Sequence, residues 1–211
     1  MLRAPAVAFW VSLAFTAAAQ TPTVGVFLDF DSVPGKVPVA VMKKEVAALL
    51  KDSGVSLDWR MVGENTGAES FDGLVVLKFQ GKCRVEAWPE NDRVTGTRAL
   101  GETLVADGHV LPFTEVRCDA VRQALRYLRP EANQGEKQKA LGLAMGRVVA
   151  HELYHALART TTHAARGLAK AAESLEDLVA GPQIPFRKED AEAIKQGVTN
   201  QKPEDRTRGV E

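Results

Sequence analysis

The segment His151-Glu152-Leu153-Tyr154-His155 places two imidazoles four residues apart. On an α-helix that spacing puts both rings on one face, one turn from each other, where both can reach a single ion. Glu152 follows the first His, so it is rotated to the side of such an ion where a water would sit, and its carboxylate can take that water's proton. Zinc lowers the pKa of a bound water to about 7, so a weak base suffices. The surroundings sharpen the pattern. Between Ala140 and Ala158 the only formally charged side chains are Arg147 and Glu152, which predicts a helix that is apolar nearly all round and therefore buried. A carboxylate kept in such a helix needs a purpose, because burying a charge is costly.

With uncharged Leu153 and Tyr154 inside it, and Val149, Ala156 and Leu157 around it, the motif resembles the signature of the zincin metallopeptidases. The specific part of the resemblance covers Val148 to His163. It implies a single zincin-like domain, His151 and His155 as zinc ligands and Glu152 as catalytic base. It also implies an endopeptidase that takes a peptide or protein substrate along a sheet edge. Two patterns compete for the third ligand. Metzincins carry a third His six residues after the second, following a Gly, but Thr161 and Ala158 hold those positions here, and no Met follows the motif to make a Met-turn. The chain offers His163 instead, beyond a Thr160-Thr161-Thr162 run that can end the helix because β-branched residues fit it less well. Gluzincins use a Glu from a downstream helix in a Glu-x-x-x-Asp arrangement, which Glu173 and Asp177 match. His163 is the expected ligand, since it gathers three of the four His within thirteen positions, and Glu173 is the alternative. His109 reads as a surface residue and Tyr154 as a packing residue.

The elements that must position these groups follow from periodicity. Val24, Val26, Leu28 and Phe30 alternate as a strand, and Val39, Met42, Val46 and Leu49 recur at helical spacing opposite lysines, closed by Ser53-Gly54. Leu57, Trp59 and Met61 form a half-exposed strand, and Leu74 to Leu77 a central one. A strand, a crossover helix and a strand in series favour a parallel pair. Thr103 to Ala106 and His109 to Val116 read as a hairpin around Asp107-Gly108, and either could be the substrate's edge. A helix from Cys118 to Arg129 and a long one from Glu136 to Arg159 follow, with short helical pieces beyond Ser174. Gly142 and Gly146 suggest close packing of the long helix on the sheet. The expected class is α+β: a mixed twisted sheet packed on a crossover helix and a long buried active-site helix.

The 211 residues balance 27 basic against 27 acidic side chains, which argues against nucleic acid or an anionic membrane surface as the main ligand. Met1-Leu2-Arg3 followed by uncharged Ala4 to Ala19 is too short to span a membrane and reads as a signal peptide, residues 1–19, ending in a run of alanines. The domain then covers 20–196 and a polar, flexible tail 197–211. Export to the periplasm or beyond, with no stable membrane span after cleavage, favours oxidation of the two cysteines, Cys83 and Cys118, to one disulfide. Two rival classes use the same residues: a non-catalytic zinc-binding exported protein, and a structural exported domain without metal.

Overall fold

The computed structural model describes residues 20–64, 67, 70–85, 99–128, 131–171 and 184–200. The signal segment 1–19, Glu173, Asp177 and the tail residues 201–211 lie outside the described residues. As expected from the sequence, the class is α+β, a mixed five-stranded sheet with four helices among the described residues. Strand β1 (Thr23–Phe30) leads through helix α1 (Lys36–Leu49) to β2 (Ser56–Met61), and the two strands pair in parallel. Gly54, with φ +66°, closes the turn after α1, a conformation that glycine adopts without steric cost. β3 (Gly73–Gln80) pairs in parallel with β1 on its other side. β4 (Gly101–Ala106) and β5 (His109–Arg117) form the expected hairpin, in which Asp107 and Gly108 both have positive φ.

The strand order β2-β1-β3-β5-β4 separates the two candidate substrate edges. β5 is inside the sheet, parallel to β3, whereas β4 is at the margin with one strand neighbour among the described residues. Val24, Val26, Leu28, Val75, Leu77, Phe79 and Val116 face the helices and form one core with Met42 and Val46 of α1. Leu141, Met145, Leu153 and Leu157 of α3 (Gln134–Ala158) complete it. Each such leucine, removed from water, contributes about 1.5–3 kcal/mol.

From Ala140 onward helix α3 is buried on nearly every side because it packs on α1, β3, β4 and β5 and on a last helix, α4 (Lys188–Thr199). It starts at a capping box, in which Asn133 accepts from the Glu136 N–H and Glu136 accepts from the Asn133 N–H. Gly142 and Gly146 do permit a close approach, but to α1 and not to the sheet. A Cβ at Gly142 would lie 2.6 Å from Val41 Cβ and 2.7 Å from the Pro38 carbonyl, and one at Gly146 2.7 Å from Glu45 Cβ. Arg147 sits on the same helical face as these glycines and makes a buried ion pair with Glu45, Nε to Oε1 3.1 Å.

The C-terminal boundary also departs from expectation. Gly197 to Thr199, assigned to the tail for their polarity, form the last turn of α4, where Val198 is buried and Gly197 lies against the end of α3. A short polar stretch carrying one apolar residue at helical spacing is enough to continue a packed helix. Cys83, after β3, and Cys118, first residue of α2 (Cys118–Leu128), form the expected bridge, with Cα atoms 5.0 Å apart. Such a bond is compatible with an oxidising, extracellular location. Among the described residues no helix is long and apolar enough to cross a membrane.

Candidate metal centre

Helix α3 supplies His151, Glu152 and His155 from its last two turns and then stops abruptly. Arg159 takes a left-handed conformation, φ +52°, and the N–H groups of Arg159 and Thr160 both donate to the His155 carbonyl. This cap reverses the chain. The Thr162 N–H then donates to Thr160 Oγ1 at 3.0 Å, and the Tyr154 hydroxyl donates to the Thr162 carbonyl at 3.3 Å, which fixes the residue preceding His163. Tyr154 is buried and stacked on Phe186, so it packs as expected while its hydroxyl braces the loop that carries His163. Farther on, Gly167 turns at φ +82° and Ala164 bridges to Lys170, bringing the Leu168 carbonyl back to the site.

The three imidazoles converge. His155 Nε2 is 3.1 Å from His151 Nε2 and 3.2 Å from His163 Nε2. The other ring nitrogens decide what that means. His151 Nδ1 lies 2.8 Å from the Leu168 carbonyl and His155 Nδ1 lies 2.7 Å from the Thr160 carbonyl. A carbonyl can only accept, so each Nδ1 carries the proton and each neutral ring turns an Nε2 lone pair toward the other. Two lone pairs at 3.1 Å repel unless a cation lies between them. Burial lowers the His151 pKa to about 4, against the Leu168 hydrogen bond and with help from His155 and His163, and burial also lowers that of His155. The rings of His151 and His155 are therefore held neutral, with their Nε2 lone pairs available to a metal ion. In a tetrahedral zinc site with Zn–N of about 2.05 Å, adjacent nitrogens are about 3.3 Å apart, close to both separations found. The donor set thus fits a metal ion, with the Leu168 and Thr160 carbonyls orienting two of its ligands.

Glu152 is buried beside the rings, between α3 and the marginal strand. The Thr103 hydroxyl donates to Glu152 Oε2 at 2.6 Å and approaches the Glu152 carbonyl at 3.2 Å. Burial raises the Glu152 pKa to about 7, with the Thr103 hydrogen bond opposing, the Glu102 charge adding and the Arg117 charge subtracting. Its Oε1 faces Gly101, where an added Cβ would lie 2.7 Å away. A cleft of about 320 Å³ opens over these groups, floored by His151, Glu152, His155 and His163 and walled by Gly101, Thr103 and Val105 of β4 with Thr160 and Thr161 opposite.

The four groups singled out by spacing, His151, Glu152, His155 and His163, are thus gathered at one cleft. Glu173 lies outside the described residues, and His109 is exposed on the hairpin. Thr103 escaped the sequence reading, where it was only a strand residue. A period of two along Gly101, Thr103 and Val105 was its signal, since it puts a hydroxyl and a missing side chain on one face of a strand. No protein-family model matches the chain, and no curated protein is significantly similar to it in sequence.

Proposed function

We propose that this chain is an exported zinc-dependent metallopeptidase that cleaves internal peptide bonds. The observation that carries the reading is the convergence of three histidine Nε2 atoms beside a buried glutamate at the floor of an open cleft. His151, His155 and His163 would hold the ion, and the nitrogen-only donor set with room for a further ligand suits zinc. When bound, zinc supplies a Lewis acid for a carbonyl oxygen and lowers the pKa of water. The residues of the chain account for the rest. Glu152, with a pKa near neutrality, can accept a proton from the attacking water and return it to the leaving nitrogen within one cycle. The outer edge of β4 is free to pair with an extended peptide among the described residues, which supports a strand-like substrate over a compact one. Export rests on the N-terminal sequence and is supported by the disulfide.

The test is a peptide library incubated with zinc-loaded protein and read by mass spectrometry, beside Glu152→Gln. Internal cleavage by the wild type, lost by several orders of magnitude in a variant that still holds one zinc, is the expected result. Zinc binding without cleavage would make the chain a metal-binding module. A chain that retains no metal after reconstitution would overturn both.

A further inference from the structure

We infer that Thr103, with Gly101, is a positioning device for Glu152: the marginal strand sets the orientation of the base, so that the backbone a substrate would pair with and the side chain that holds the base belong to the same residues. The inference rests on the metallopeptidase reading and adds to it a role for β4 that ligand chemistry does not require.

The geometry is specific. Gly101 and Thr103 are two apart on β4, so both face α3. One carboxylate oxygen of Glu152 is taken by the Thr103 hydroxyl at 2.6 Å, and the other is left over Gly101. The position opposite Oε1 has no spare room: an added Cβ would lie 2.7 Å from Oε1 and 2.7 Å from Val148 Cγ1. A side chain there would push Glu152 away from the strand. The rest of β4 is poorly anchored to the core, since Glu102, Leu104, Val105 and Ala106 are exposed, and the Thr103 hydroxyl ties this strand to α3. A glutamate has three rotatable bonds and loses considerable freedom when held, so a fixed donor on one oxygen leaves the other presented in a defined direction.

The experiment uses protein labelled with ¹³C at the glutamate side-chain carboxyl carbons, in wild type, Thr103→Val, Thr103→Ser and Gly101→Ala, with Glu152→Gln identifying the Glu152 resonance. Zinc content and thermal melting are measured alongside, and Thr103→Ala removes the same hydroxyl should valine crowd the site. Loss of the hydroxyl should move the Glu152 resonance, leave zinc affinity unchanged and lower kcat on the cleaved library peptides by at least about tenfold with little change in KM. Thr103→Ser should restore both resonance and kcat, which a merely space-filling role would not produce. Gly101→Ala should move the resonance and lower kcat in the same sense. An unmoved Glu152 resonance in the hydroxyl-free variants, or an unchanged kcat, overturns the inference. A wild type that cleaves nothing overturns the hydrolytic reading but not the orientation of Glu152 by Thr103. That failure is distinguishable, because the resonance shift would persist in the inactive protein.

Discussion

Glu152→Gln should make the metal-free protein more stable at alkaline pH while abolishing hydrolysis. In the folded chain the carboxyl is buried and its pKa is raised from 4.5 to about 7, so folding favours its protonated form. A raised folded-state pKa gives stability that is fully present below pH 4.5 and is lost as the pH rises through about 7. At 1.36 kcal/mol per unit, the loss reaches about 3 kcal/mol by pH 8 but only about 1 kcal/mol at pH 5. Glutamine carries no charge to bury, keeps an oxygen to accept from Thr103, and turns its amide toward the cleft. His151 acts in the opposite sense, since its pKa is lowered to about 4 and its stabilisation is lost as the pH falls from 6.5 toward that value. That contribution is present in both proteins and cancels from their difference. Urea unfolding of chelator-treated wild type and variant at pH 5 and pH 8 measures the effect. The variant should be favoured by about 3 kcal/mol at pH 8, a rise of roughly 6–12 °C in Tm for a chain of this size, and by much less at pH 5. A difference that does not change with pH, or a variant that is less stable at pH 8, would refute the reasoning that Glu152 is held against its preferred charge state.

Three further outcomes are expected. His163→Ala should weaken zinc binding by at least ten- to a hundred-fold in competition with a chromogenic chelator, while Glu173→Ala leaves it nearly unchanged; the reverse order would transfer the ligand role to Glu173. Replacing Cys83 and Cys118 together by Ala should cost up to about 4 kcal/mol in urea unfolding, from the loop entropy of a 35-residue separation, and two free thiols in protein recovered from an oxidising compartment would contradict the bridge. Gly197→Ala should destabilise by more than about 2 kcal/mol, because the new Cβ would press on the Leu157 carbonyl at the end of the ligand helix; a neutral effect on thermal melting would show that α4 can move aside.

The core helix was legible in the sequence because its signal is local: an uncharged run from Ala140 to Ala158 interrupted only by Arg147 and Glu152 has nowhere to go but inward. The meeting of His151 and His155 on one face was legible for the same reason, since helical spacing alone brings residues i and i+4 together. The hairpin, the crossover and the cysteine pairing were likewise written in alternation, turn residues and count. What lay beyond reach were contacts between elements distant in the chain. Spacing could not show that the left-handed Arg159 and the turn at Gly167 bend the chain to carry His163, and the Leu168 carbonyl behind His151, back to the helix. Nor could composition tell which hairpin strand is marginal, because that depends on which of the two β3 takes as its neighbour. The glycines of α3 illustrate the limit: their small size announced a close approach, but only the packing of α1 across that face decided against what. Thr103 shows the other side of it, since a threonine in a strand is unremarked until the fold sets a buried carboxylate 2.6 Å from its hydroxyl. Local pattern decides which residues share a face, whereas the face they meet depends on non-local packing that no short window of sequence contains.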